Sequence, residues 1–302
     1  MFSIRNQLAQ RSKRQLLCTN LGLGPLSSRL PATIRWLSEN AVHEATATGF
    51  PSQEEGAPVT ETNRAEKTMK RFWKTVDIEK RNDGFVVTLD KRALKTPSGN
   101  TLLLPHNKHL VAALVATEWE NQETLIKPHA LPMTSLVSRA IDNMTDKKSR
   151  EDVGAALVEY LDTDTICFYQ DYPDHLVELQ AQHWDPVRSW ITKTYGVKVE
   201  KSNSILFAGQ SPETRQKLLE ALTSFNHWEM AAMERATYAS KSFMIALALV
   251  KQRLNIEEAS KAARVEVESQ IQRWGEVEDT HDVDFHDIRR QLGSAACLLA
   301  RT

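Results

Sequence analysis

The sequence predicts an α+β protein: a small antiparallel β-rich N-terminal domain with a covering helix, followed by a larger all-α helical domain. Three observations carry that expectation. Turn-forming Asn82-Asp83-Gly84 and Thr96-Pro97-Ser98-Gly99-Asn100 divide residues 71–105 into short apolar runs of strand length. From residue 107 onwards apolar side chains recur at three- and four-residue intervals, the helical period. The chain has 302 residues, 41% of them apolar, which is enough to bury a sizeable core in two domains.

In order along the chain, residues 1–37 read as a mitochondrial transit peptide, the alternatives being a chloroplast address or a disordered basic arm that binds RNA or lipid. Arg5, Arg11, Lys13, Arg14, Arg29 and Arg35 all precede the first acidic residue, Glu39, and Ser and Leu fill the gaps. Arg35-Trp36-Leu37-Ser38 resembles a matrix-processing site cut after Leu37, so the mitochondrial matrix is the expected compartment. Residues 38–70 read as a flexible linker. Glu44, Glu54, Glu55, Glu61 and Glu66 stand among Gly, Pro, Ser and Thr, with too little apolar surface to offset ordering entropy.

Residues 71–145 form the expected β-rich domain. Residues 72–78 alternate towards their end and read as a strand. Asn82-Asp83-Gly84 reads as a hairpin turn at positive φ, residues 85–89 as its return strand, and residues 101–104 as a further strand. Such a sheet needs a cover. A helix over 107–122, with Leu110, Val111, Leu114, Val115 and Trp119, supplies it, and a second helix follows over 134–144.

Residues 146–302 form the expected helical domain. Val153, Leu157, Tyr160 and Leu161 mark its first helix, and residues 165–169 read as a short extended piece. Asp174 is a candidate cap, Pro186 interrupts the helix behind it, and Gly196 supplies a stop. Ser211 and Asn226 are candidate caps, the latter for a helix running to Val250. Asn255 and Glu258 form a capping box for a helix ending at Trp274-Gly275. A last helix carries Phe285, Ile288, Leu292 and Leu299 inward, with Asp284 as its cap.

Function classes narrow by exclusion. A formal net charge of -1 does not favour nucleic acid. The longest apolar run, residues 243–250, spans about 12 Å as a helix against a bilayer core of about 30 Å, so no membrane insertion is expected. Cys18, Cys167 and Cys297 form no Cys-x-x-Cys pair, and no Gly-rich phosphate loop or Gly-x-Ser-x-Gly elbow is present. The dense polar run holds Glu276, Glu278, Asp279, His281, Asp282, Asp284, His286 and Asp287. It is either a set of metal ligands or a solvated acidic loop, and the five-residue spacing of its two histidines is off the helical i, i+4 pairing. Trp73, Trp119, Trp184, Trp190, Trp228 and Trp274 are candidates for core or for binding anchors. Glu118 and Gln122 share a helix face, where they either hydrogen-bond a partner, pin neighbouring structure or face solvent.

The strings themselves carry a resemblance. Leu89-Asp90-Lys91-Arg92-Ala93-Leu94-Lys95-Thr96-Pro97 resembles the signature of the mitochondrial F1-ATPase assembly chaperone family that acts on the alpha subunit. Ala116-Thr117-Glu118-Trp119-x-x-Gln122, Pro132-Met133-Thr134, Leu161-Asp162-Thr163-Asp164-Thr165, Leu179-Gln180, Trp184-Asp185-Pro186, Lys241-Ser242 and Gln272-Arg273-Trp274-Gly275-x-x-Glu278-x-x-His281-Asp282 follow in that family's order. Met133 stands where many relatives have Leu, a volume-conserving change. The resemblance covers residues 71–292 and implies a two-domain chaperone, not an enzyme, with no nucleotide, metal or other cofactor. It implies binding of unassembled alpha subunit until beta subunits displace it. Glu118, Trp119, Gln122, Trp274, Glu278 and Asp282 are the expected partner-binding residues, on a chain acting as a monomer. The alternatives are a metal-dependent matrix hydrolase using Glu278, His281, Asp282 and His286, and a structural subunit of a matrix complex.

Overall fold

The computed structural model describes residues 70–204 and 209–302. The expected transit peptide and the linker up to residue 69 lie outside the described residues.

Among the described residues four strands make one antiparallel sheet: β1 (Val76–Arg81), β2 (Gly84–Leu89), β3 (Arg92–Ala93) and β4 (Leu103–Leu104). β2 is central. It pairs with β1 from Val76↔Leu89 to Arg81↔Gly84, and its other edge pairs with β3 at Leu89↔Arg92 and β4 at Phe85↔Leu104. The first strand begins at Val76 rather than residue 72. Trp73 turns into the core, and the backbone N–H groups of Lys74 and Thr75 donate to the Asp90 carboxylate at 2.9 Å each instead of joining the ladder.

The hairpin turn falls where expected, Asn82-Asp83 joining β1 to β2 at Arg81↔Gly84, but neither residue takes a positive φ; the positive-φ turn lies at the next hairpin. Asp90 (φ +47°) and Lys91 (φ +65°) link β2 to β3 in two residues, the geometry whose twist matches the flanking strands. Gly84 instead opens β2, where an added Cβ would lie 2.0 Å from the Leu104 carbonyl oxygen. Glycine is needed there for the close approach of β4.

The covering helix α1 (His109–Glu120) packs on β1 and β2 with Val111, Ala112 and Val115 fully buried. Helix α2 (Pro132–Asp142) starts two residues earlier than expected, because Pro132 occupies the first turn, where its missing N–H costs nothing. Asp142 at its end accepts from the Thr96 hydroxyl (2.6 Å), the Asn100 side-chain amide (2.9 Å) and the Ser98 N–H (3.2 Å), and so fixes the 96–100 turn.

Among the described residues nine further helices follow: α3 (Lys147–Glu159), α4 (Asp174–His183), α5 (Asp185–Tyr195), α6 (Pro212–Thr223), α7 (His227–Ser240), α8 (Phe243–Val250), α9 (Ile256–Ala263), α10 (Val265–Trp274) and α11 (Glu278–Leu299). The expected caps Ser211, Asn226 and Asn255 each accept from the first helical turn, and Gly196 stops α5 at φ +61°. Asp174 is the first residue of its helix rather than the cap. Residues 165–169 are not extended: Thr165–Cys167 is a 3-10 turn and Phe168 makes one isolated bridge to Ser202.

Two expected long helices are broken. Residues 226–250 divide into α7 and α8 at Lys241 (φ +55°) and Ser242, whose hydroxyl accepts from Ile245 N–H. The break is held from outside: buried Asp164 accepts the Met244 N–H at 3.1 Å, and Thr165 donates to the Lys241 carbonyl. Residues 255–274 divide at Arg264, between α9 and α10. All eight residues of α8 are buried beneath α5, α7, α9 and α11, and its apolar length is core. No described helix is long and apolar enough to cross a membrane.

Candidate partner-binding surface

The six expected partner-binding residues fall into two groups. Glu118, Trp119 and Gln122 sit at the C-terminal end of α1, and they are engaged with their own chain. The Glu118 carboxylate accepts the Met133 N–H (2.6 Å), the Thr134 N–H (2.8 Å) and the Thr134 hydroxyl (2.7 Å). These N–H groups belong to the first turn of α2, which has no intrahelical partners for them, and an anion there also complements the helix dipole. Burial pushes the Glu118 carboxyl above its ordinary range, against the opposing pull of these hydrogen bonds. Gln122, 4% exposed, accepts from Lys127 N–H at 2.7 Å and donates to the Glu118 carbonyl. The Trp119 indole N–H donates to the Thr134 hydroxyl at 3.0 Å, and its ring lies 4.9 Å from that of Trp73. Arg71 closes the end of α1 by donating to the Glu120 and Gln122 carbonyls.

Trp274, Glu278 and Asp282 form the second group, on the elbow joining α10 to α11. Trp274 is 71% exposed, and every residue from 272 to 280 is exposed. Gly275 (φ +86°) makes the turn with open space around it. Helix α11 begins at Glu278, earlier than expected. Glu278 and Asp279 place negative charge on its first turn, and the His281 Nδ1 accepts the Val277 N–H at 2.9 Å. Asp284 is therefore not a cap. It lies inside the helix and accepts from Arg264 at 2.9 Å.

That pair anchors the elbow from behind. The Arg264 and Arg289 guanidiniums lie 5.0 and 3.4 Å from the Phe285 ring centroid, and Arg289 also pairs with Glu257 on α9. A cavity of about 280 Å³ remains there, lined by His183, Arg264, Gln272 and Phe285 among others. On the outer side, Arg273 lies 5.1 Å from the Trp274 ring and 5.9 Å from the ring of Tyr172, itself 69% exposed. Val277 (58% exposed) and Val283 (69%) are also exposed, and Glu276, Glu278, Asp279 and Asp282 are exposed beside them in the sequence.

Glu278, His281, Asp282 and His286 share the first turns of α11, yet among the described residues no three His, Cys, Asp or Glu side chains are placed to hold a metal ion. The His281 nitrogen that a metal would need is a helix cap. The two expected groups are also separate. Arg290 of α11 donates to the carbonyl of His129, near the start of α2, and Glu278 lies about 18 Å further along the helix axis.

Sequence reasoning did not single out Tyr172, Val277 or Val283. Val283 had a readable signal: with Asp279, Asp282 and His286 it forms an i, i+3, i+4, i+7 stripe off the buried face of Ile288 and Leu292.

Comparison with known proteins gives the family and the fold. The chain is 34% identical over 272 residues to a protein named atp12, mitochondrial, of Schizosaccharomyces pombe, covering 87% of this chain and 92% of that one. The chain belongs to the ATP12 chaperone family. The family model described as ATP12 chaperone protein matches residues 70–192. The ATP12 protein, mitochondrial, of Saccharomyces cerevisiae is 31% identical over 280 residues, covering 78% of this chain and 86% of that one. Among solved structures, Atp12 from Paracoccus denitrificans superposes with a TM-score of 0.66 at 26% identity, over 78% of this chain and 98% of that one. The Atu1473 protein of Agrobacterium tumefaciens matches with the same TM-score at 27% identity, over 76% of this chain and 85% of that one. The ATP12 match bears out the fold class read from the sequence, a small antiparallel sheet near the N-terminus followed by helices.

Proposed function

We propose that this chain is an assembly chaperone of the mitochondrial matrix that binds the unassembled alpha subunit of the F1-ATPase as a monomer and performs no catalytic turnover. The observation that carries the reading is the α10–α11 elbow, where Tyr172, Trp274, Val277 and Val283 are exposed on a chain of the ATP12 chaperone family whose yeast relatives are named mitochondrial.

The physical logic is that of a substitute neighbour. Subunits that alternate in a ring leave apolar faces open when free, and interfaces of that kind bury on the order of 1,600 Å² or more. Faces that large promote aggregation. A holder must cover them yet leave, which suits a small aromatic anchor with carboxylates beside it in the sequence rather than a wide apolar face. Release then follows from competition by beta subunits and needs no hydrolysis. On this reading Trp274, Glu278 and Asp282 contact the client. Glu118, Trp119 and Gln122 act through the first turn of α2, holding the N-terminal end of the molecule in shape.

The test is light scattering of isolated alpha subunit diluted from denaturant. Scattering suppressed at near-stoichiometric chaperone, and complexes dissolved by added beta subunit, support the reading. Undiminished scattering at excess chaperone removes it.

A further inference from the structure

The β2–β3 hairpin holds a feature that the fold itself does not use. Its two turn residues both sit at positive φ, Asp90 at +47° and Lys91 at +65°. Asp90 has an internal reason: its carboxylate accepts from the N–H groups of Lys74 and Thr75, which lowers its pKa, and the nearby Lys74 charge adds to that effect. Lys91 has none. A side chain with a Cβ adopts this conformation reluctantly, and Gly or Asn would fit the turn better. Strained positions of this kind gather where a side chain is needed for a contact.

The charges around it are open. Lys91, Arg92 and Lys95 are all exposed. The ion pairs of this part of the chain are Arg81–Glu79 and Arg71–Glu120, and among the described residues these three cations join none. The turn is rigid, fixed by the Leu89↔Arg92 pairing on one side and the Asp90 hydrogen bonds on the other. It presents cations from a pre-ordered backbone, which lowers the entropic cost of a contact.

We infer that the Lys91-Arg92 hairpin is a second client contact that docks an acidic polypeptide segment of the protein held by the elbow. The inference rests on the proposed chaperone function. The exposed cations here, Lys91, Arg92 and Lys95 with Lys74 beside them, share the turn with the Asp90 carboxylate, and such a mixed cluster is not a polybasic membrane-binding run. A chain with a pI of about 6.8 lacks the footprint of a nucleic-acid binder. Clustered carboxylates on a client, already tethered at the elbow, need only a weak charge match to fix its orientation.

The experiment compares the full mature chain with the charge-reversed double variant Lys91→Glu/Arg92→Glu, and with Lys91→Gly, in binding to purified alpha subunit. Thermal melting is followed in parallel. At low salt the double variant is expected to bind about tenfold more weakly at unchanged melting temperature. The gap should close near 1 M salt, where charges are screened beyond about 3 Å. Lys91→Gly should melt higher than wild type while binding more weakly, because it relieves the backbone and removes the charge. Equal affinity of wild type and double variant at low salt overturns the inference, also if wild type alone binds vesicles containing phosphatidylserine. Failure of the wild-type chain to bind alpha subunit is a different result: it overturns the chaperone reading and the inference with it.

Discussion

Thr134 gives both its backbone N–H, at 2.8 Å, and its hydroxyl, at 2.7 Å, to the carboxylate of Glu118. A side chain from α1 thus caps the start of α2 across fifteen residues of sequence, and the Trp119 indole completes the cluster by donating to the same hydroxyl.

Glu118→Ala would leave these α2 groups without their acceptor. The expected loss is about 2–3 kcal/mol of stability, with a fall in melting temperature of about 5–10 °C. Binding of alpha subunit per folded molecule should persist. Differential scanning calorimetry beside a binding titration at a temperature where the variant is folded checks both halves.

Trp274→Ala should behave in the opposite sense. The side chain is 71% exposed, so its removal changes stability by no more than about 0.5 kcal/mol. As a central anchor its loss should weaken client binding by about 2 kcal/mol or more. Val277→Ser should reproduce the pattern with a smaller loss. A collapsed melting temperature for Trp274→Ala would mark the elbow as structural.

Asp164 is fully buried, and burial raises its pKa from 3.8 to about 6 despite hydrogen bonds from Ser242, Met244 and Ile166. Between those values the folded chain holds a proton that the unfolded chain has released. This group's contribution to stability therefore falls as pH rises from about 4 to about 6, then stays level. Asp164→Asn lacks that dependence. Urea unfolding should show wild type furthest ahead of the variant, or least behind it, near pH 4, with the difference shifting against wild type up to about pH 6. A constant difference across that range would contradict the assignment.

Gly84→Ala places a methyl group 2.0 Å from the Leu104 carbonyl oxygen, so β4 must move. The expected loss is about 1–3 kcal/mol. Gly99→Ala meets nothing within 4 Å and suffers only the backbone penalty of its φ of +85°, about 1 kcal/mol. Equilibrium unfolding of the two variants side by side checks the contrast.

Local hydrogen bonding explains which parts of the fold were legible in the sequence. Asn226, Asn255 and Ser211 cap their own next turn, so residue type and spacing reveal them. The break at Lys241-Ser242 was not legible, because Asp164 and Thr165, more than seventy residues away, hold it. The turn at Asp90-Lys91 was hidden for a related reason: its sequence lacks Gly, and the Asp90 carboxylate is answered by Lys74 and Thr75. At the site, Trp274, Glu278 and Asp282 group together because eight residues of chain join them. Glu118 read only as one face of a helix, since its hydrogen-bonding partners follow a loop whose path no local pattern gives. Val283 was legible in principle and lay hidden among acids.

The central claim is that the α10–α11 elbow holds an unassembled alpha subunit, and size-exclusion chromatography of the mature chain mixed with purified alpha subunit tests it most directly. The account predicts a one-to-one complex with wild type, dissolved by beta subunit and absent with Trp274→Ala at unchanged melting temperature. A complex that forms equally well with Trp274→Ala would contradict the placing of the contact, and no complex with wild type would contradict the function itself.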